Sequence, residues 1–169
     1  PYLKFPEGSP ELDYMRKHRQ VLGGDLPHRR RSAAALEIPP LTTFDALLKP
    51  SGEGREFSTT MAFVRILNIL IKDKVLGSRI VPIVPDESRT FGMEGMFRQL
   101  GIWNQLGQLY TPQDADQLMF YKESKTGQIL QEGINEAGGM ADWIAAATAY
   151  STHGVQMLPV YIFYSMFGM

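Results

Sequence analysis

Glu136 stands where a carboxylate could work on a ligand. Gln128-Ile129-Leu130-Gln131 reads as a short strand, Gly133 permits a sharp turn, and Asn135 suits the N-cap of a helix. That helix runs from Glu136 to about Ser151, through Trp143, Ala145, Ala146, Ala147 and Tyr150. A strand running straight into a capped helix puts its turn at the carboxyl edge of a sheet, where open α/β folds hold their ligands. Glutamate is also common in first helical turns because it complements the helix dipole. Its company therefore matters.

Two further strand ends supply that company. Arg79-Ile80-Val81-Pro82-Ile83-Val84 reads as a strand whose unbroken apolar run predicts a sheet covered on both faces. Asp86 and Glu87 leave it, although loop acids are more often merely solvated. Leu158 to Tyr164 reads as a third, buried strand, with Tyr164 and Phe167 at its end. Three neighbouring carboxyl edges could converge on one pocket. Residue types alone stop there, at a ligand site of unspecified kind.

The elements that position these residues begin late in the chain. Residues 1–57 read as an irregular connecting arm, punctuated by Pro1, Pro6, Pro10, Pro27, Pro39, Pro40 and Pro50. Within it, Pro10 to Leu22 predicts a helix closed by Gly23-Gly24, and Phe44 to Leu48 a shorter one. His28-Arg29-Arg30-Arg31 is a basic cluster that reads as a solvated charge run. From Ser58 or Thr59 a capped helix carries Met61, Val64, Leu67, Ile71 and Val75 at helical spacing and ends at Gly77. Phe63, Ile66 and Leu70 add a second apolar stripe, which predicts a helix buried on most sides.

Gly92, Gly95 and Gly101 around Met93, Met96 and Phe97 predict close backbone contacts rather than an ideal helix. Thr111-Pro112-Gln113-Asp114 predicts a helix start, with Leu118, Met119 and Tyr121 following and the helix fading near Lys125-Thr126-Gly127. The resulting order of helices alternating with strands implies an α/β fold with a parallel sheet. A sheet that stops after its third buried strand is poorly finished, so the 169 residues are expected to be part of a longer polypeptide.

Bulk composition bounds the function. A chain of this length can bury about 70% of its unfolded surface, enough for one core. Seventeen basic and eighteen acidic side chains leave a net charge of -1, which makes no electrostatic case for nucleic acid or an anionic membrane. No cysteine is present, so disulfides, thiolate metal sites and cysteine nucleophiles are excluded, and a cytoplasmic location is expected. His18, His28 and His153 are too scattered to suggest a metal site. Met157 to Met169 is too short an apolar run to span a bilayer. There is no phosphate-binding Gly-x-x-x-x-Gly-Lys-Ser/Thr loop, no His-Glu-x-x-His and no Gly-x-Ser-x-Gly elbow.

Four motifs occur in order. They are Asp86-Glu87-Ser88-Arg89-Thr90-Phe91-Gly92-Met93-Glu94-Gly95, Tyr110-Thr111-Pro112-Gln113-Asp114, Gln128 through Glu136, and Tyr161-Ile162-Phe163-Tyr164-Ser165-Met166-Phe167-Gly168. Together they closely resemble the homodimeric bacterial pyruvate dehydrogenases, the thiamine-diphosphate-dependent decarboxylating components of the pyruvate dehydrogenase complex. The resemblance covers essentially the whole chain, including Pro1 to Pro6 and Ser58 to Arg65.

The resemblance implies a transketolase-like architecture. Residues 1–57 would be a linker, and 58–169 the first part of the pyrimidine-binding domain, a partial parallel sheet with flanking helices. The part that holds the diphosphate and Mg2+ would lie upstream, and a homodimer would be needed to complete the site. Glu136 matches the glutamate that hydrogen-bonds the cofactor's pyrimidine ring and favours its imino tautomer. Ile134 matches the apolar prop that bends the cofactor, Phe167 the ring stacked on the pyrimidine, and Tyr164 a tyrosine on the cofactor and substrate side. Asp86 and Glu87 match an acidic pair near the reacting centre. No metal ligand is expected here, and His153 matches no family histidine.

The implied reaction is oxidative decarboxylation of pyruvate, with reductive transfer of the acetyl unit to a lipoyl domain of the dihydrolipoamide acetyltransferase. The isolated chain is expected to be inactive. The rival readings are a related thiamine enzyme, such as a transketolase or another 2-oxo-acid dehydrogenase, and a non-catalytic dimerisation module.

Overall fold

Ile80–Val84 (β1) is the centre of the fold: all five residues are buried, and it is paired on both sides. Leu130–Gln131 (β4) lies along one edge, with Ile83 opposite Leu130, and Leu158–Tyr161 (β5) along the other, with Ile83 opposite Tyr161. Both pairings are parallel, as the alternation of elements predicts. Two shorter strands, Ile102–Trp103 (β2) and Glu123–Ser124 (β3), form a second parallel ladder. One parallel bridge, Ile102 to Ile129, joins that ladder to the β4 side of the main sheet. The computed structural model describes residues 2–24, 29–85, 88–113, 115–116 and 121–168.

The arm carries the helices read in it. Pro10–Val21 (α1) is capped by the Ser9 hydroxyl, which accepts from the Leu12 N–H, but it buries no residue. A 3-10 turn at Leu41–Phe44 runs into Asp45–Leu48 (α2). His28 of the basic cluster lies outside the described residues. Arg29, Arg30 and Arg31 are exposed, as a solvated run requires, and Arg30 is also tied to the chain: its backbone N–H donates to the Ser151 carbonyl at 2.9 Å and its guanidinium to the Thr152 carbonyl at 3.3 Å. A cation there meets the negative end of the helix Ala149–Thr152.

Thr59–Leu70 (α3) begins as expected, with the Ser58 hydroxyl accepting from the Met61 N–H. It ends a turn and a half earlier than its apolar spacing predicts, leaving Ile71 and Val75 outside. The Asp73 carboxylate accepts from the N–H groups of Val75 and Leu76, each at 2.8 Å, and these local bonds compete with helix. Gly77 is not the cap. It lies against the Ile71 carbonyl, where an added Cβ would collide. Val64 and Leu67 of α3 are fully buried and its other residues half-buried except Thr59, Met61 and Arg65, so the helix is covered on most sides, though in large part incompletely.

Those two side chains join Ile80, Val84, Phe91, Met93, Met96, Phe97, Ile102 and Ile129 in the main core. Glu94–Leu100 (α4) supplies Met96 and Phe97 and is a regular helix despite Gly95, contrary to expectation. Nothing lies close to a Cβ at Gly95, so the glycine answers to no crowding. The helix expected from Thr111 is not formed by its described residues. Gln113, Ala115 and Asp116 lie in turns, and the chain enters β3 where the helix was to fade. Asp114, Leu118 and Met119 lie outside the described residues. Glu123–Ser124 instead pairs with Ile102–Trp103.

Glu136–Ala147 (α5) packs on β5, β1 and β4. The predicted helix to Ser151 is broken at Thr148, and Ala149–Thr152 forms a separate turn (α6). The third strand is shorter and more exposed than predicted: β5 stops at Tyr161, its residues are half-buried or exposed, and Ser165–Gly168 (α7) is helical. No helix among the described residues is long and apolar enough to cross a membrane.

Candidate functional site

Because all three main strands are parallel, the ends of β1, β4 and β5 share one edge. From β4 the chain passes Gly133, whose φ of 87° lies in the left-handed region that favours glycine, and enters α5. The Asn135 side chain accepts from the Gly138 N–H at 3.1 Å, closing the first turn. Glu136 is the first helical residue and is half-buried. Two sequence expectations, the cap and the carboxylate at the helix start, are therefore met.

Two features that sequence reading missed hold this turn. The Tyr161 hydroxyl donates to the Glu136 carbonyl at 3.0 Å, reaching from β5 across to α5. Its ring lies over Gly139, where an added Cβ would come within 2.8 Å of the ring carbon Cε2. Burial, and then the nearby Glu136 charge, push the Tyr161 phenol above its ordinary pKa, so it stays protonated and able to donate. In the sequence Tyr161 falls inside the predicted strand Leu158 to Tyr164 and opens the fourth motif, and nothing there marked it as a partner of Glu136.

Ile134 projects from the turn with 85% of its surface exposed, and Phe167, on a helix touching α5, with 63% exposed. Tyr164 is half-buried instead. Its ring tilts against Phe91 at a centroid distance of 5.5 Å, and its carbonyl accepts from the Phe167 N–H at 3.0 Å. Asp86 and Glu87 lie outside the described residues. Their neighbour Ser88 is buried, and its hydroxyl donates to the Gln131 side chain at 3.1 Å, fastening the loop after β1 to β4.

A cleft of about 670 Å³ opens at this edge between β2 and β4, walled by Trp103, Asn104, Leu130, Gln131, Glu132 and Asp142. Glu136, Ile134, Tyr164 and Phe167 are not among its walls, so the predicted side chains share an edge without sharing this cleft. Within it, burial and then the Asp142 carboxylate raise the pKa of Glu132.

A parallel three-stranded sheet with flanking helices defines an α/β domain. The family described as pyruvate dehydrogenase E1 component middle domain matches residues 36–169, and the chain belongs to that family. It is 75% identical to the pyruvate dehydrogenase E1 component of Cupriavidus necator and 64% identical to that of Pseudomonas aeruginosa, each over 168 residues. It is 55% identical to that of Escherichia coli K12 over 169 residues. Each match takes in 99% of this chain but 19% of the relative, so the chain spans about a fifth of the length of these proteins.

Proposed function

We propose that these residues form part of the pyrimidine-binding side of a thiamine-diphosphate-dependent pyruvate dehydrogenase. The enzyme would be a cytoplasmic homodimer that decarboxylates pyruvate and passes the acetyl unit to a lipoyl domain of the dihydrolipoamide acetyltransferase. The observation that carries the reading is Glu136 at the first position of a capped helix, on the shared carboxyl edge, with exposed Ile134 beside it. Membership of the family supports it.

The side chains fit an aminopyrimidine. Such a ring has two flat apolar faces and a polar rim. Ile134 and Phe167 offer exposed apolar surface, and Glu136 offers a carboxylate. When bound, thiamine diphosphate supplies the electron sink that makes loss of carbon dioxide from a 2-oxo acid accessible. Glu136 would hold a proton at a ring nitrogen, Phe167 would stack on one face of the ring, and Ile134 would support it from below. Tyr164, packed on Phe91, would form a wall on the substrate side. We assign Asp86 and Glu87 to the reacting centre as an acidic pair, and the diphosphate and Mg2+ ligands to segments beyond these 169 residues.

The test is Glu136→Gln in the full-length enzyme. Loss of the carboxylate should lower pyruvate decarboxylation by about 10²- to 10⁴-fold, the usual range for a positioned acid–base group. The dimer should remain intact by sedimentation. Wild-type turnover in that variant would refute the assignment.

A further inference from the structure

We propose that Tyr161 is a positioning residue for Glu136: its hydroxyl clamps the first turn of α5 to β5 and so aims the carboxylate. The inference rests on the role given to Glu136 above. Its first ground is the weakness of the turn itself. Gly138 and Gly139 occupy the opening of α5, and glycine is among the poorest helix formers because it is so free in the unfolded chain. A helix start containing two glycines does not hold a side chain in one direction unaided.

Gly139 is nonetheless required by what lies against it: a Cβ there would strike the Tyr161 ring, whereas one at Gly138 would meet only the side-chain ends of Glu132 and Asn135. The turn therefore trades helical stiffness for close approach, and the stiffness has to come from outside. Tyr161 is placed to supply it. Its Cα is paired with that of Ile83, a residue of fully buried β1, so the tyrosine stands on an edge strand anchored to the centre of the sheet. Its ring is further held by stacking on Phe163, at 4.8 Å between centroids and 24° between planes.

The bonding pattern argues for the hydroxyl rather than the ring as the working part. Packing on Gly139 and Phe163 needs only an aromatic ring, which phenylalanine would provide. A helical carbonyl has two lone pairs, and the intrahelical bond uses one. The Tyr161 hydroxyl, 3.0 Å away, engages the Glu136 carbonyl from the side. That carbonyl carbon is bonded to the Cα bearing the Glu136 side chain, so the bond ties the carboxylate's own backbone to β5.

The experiment uses the full-length dimer as wild type, Tyr161→Phe, Glu136→Gln and the double variant. Amide hydrogen exchange of residues 136–140 in the cofactor-free enzyme, the Kd for thiamine diphosphate by calorimetry, and kcat are measured on each. Tyr161→Phe should speed exchange in that segment and lower kcat about tenfold, since small displacements of a positioned group are costly. The Kd should weaken by a smaller factor. In the Glu136→Gln background the same change should alter kcat and Kd by less than about twofold, because residues acting as a unit are non-additive.

An equal loss in both backgrounds, or unchanged exchange with wild-type kcat, would overturn the proposal. Should Tyr161→Phe fail to fold, Gly139→Ala presses on the same ring from the helix side. It must then show the same dependence on Glu136, and additivity would overturn the proposal again. Failure of Glu136→Gln to impair turnover would instead refute the function assigned to Glu136, so the two results are separable.

Discussion

The Ser88 hydroxyl lies 3.1 Å from the Gln131 side-chain oxygen and donates to it, joining the loop that leaves β1 to the last residue of β4. The connection continues. The Gln131 amide reaches the Tyr121 hydroxyl at 3.5 Å, and Tyr121 donates to the Glu123 carboxylate at 3.0 Å. Glu123 also accepts from Tyr110 at 2.8 Å and from Asn104 at 2.7 Å. A polar line thus crosses from β1 to β3, and one carboxylate ends it.

Glu123→Ala should expose that dependence. It removes the acceptor of three donors, of which Tyr121 and Asn104 are partly buried. The expected loss is about 1–3 kcal/mol, the cost of leaving buried donors unmade, read as a lower midpoint in urea denaturation. Burial first, then the bonds to Tyr110 and Glu123, hold the Tyr121 phenol far above its usual pKa. A tyrosine raised on folding contributes stability that fades as pH climbs past about 10. Spectrophotometric titration should find Tyr121 ionising above the ordinary tyrosine range, and earlier in the variant than in the wild type.

Gly127→Ala should be worse tolerated than a surface substitution. A Cβ there would run into the Ile102 carbonyl and the Trp103 nitrogen, where β2 meets the approach to β4. Backbone cannot yield as a flexible side chain does. The expected cost is about 1–3 kcal/mol, the range for overpacking, measured by thermal or urea unfolding. Gly95→Ala is the control: a Cβ there meets open space, inside α4. That change should be neutral or stabilising, by less than about 1 kcal/mol.

Asp142→Asn should change the pH dependence of stability through Glu132. Burial and then the Asp142 carboxylate raise the folded-state pKa of Glu132, so folding favours its protonated form. The resulting contribution is present below the unfolded value and is lost as pH rises through the folded one. Removing the Asp142 charge lowers the folded pKa and shrinks that loss. The variant should therefore melt higher than wild type near pH 7, with the difference vanishing below about pH 4, where Glu132 is protonated either way. Melting temperatures across that window decide it, and a constant offset would refute the coupling.

The helix starts at Pro10, Ser58 and Asn135, the turn at Gly133 and the parallel alternation of strands were all legible in the order of residues. Each depends on groups within four residues or on a repeating apolar pattern, and such interactions leave a local signature. Glu136, Ile134, Tyr164 and Phe167 were recognised through motifs, while the placement of Asp86 and Glu87 falls outside the described residues.

What stayed hidden depends on partners far along the chain. Gln128 illustrates it: its side-chain amide donates at 2.6 Å to the carbonyls of both Gly77 and Ile80, 51 and 48 residues away. The strand at Glu123–Ser124, the glycine required against Ile71, the tilt of Tyr164 onto Phe91 and the clamp of Tyr161 on Glu136 are of the same kind. The sequence by itself determined the helices that open at Pro10, Ser58 and Asn135, the three main strands, and which residue types stand at their ends. The tertiary structure decided which of those side chains are exposed, which are spent on packing, and what holds Glu136 in place. Propensity and capping are short-range, whereas a hydrogen bond between distant residues exists only after the sheet has brought its strands into register.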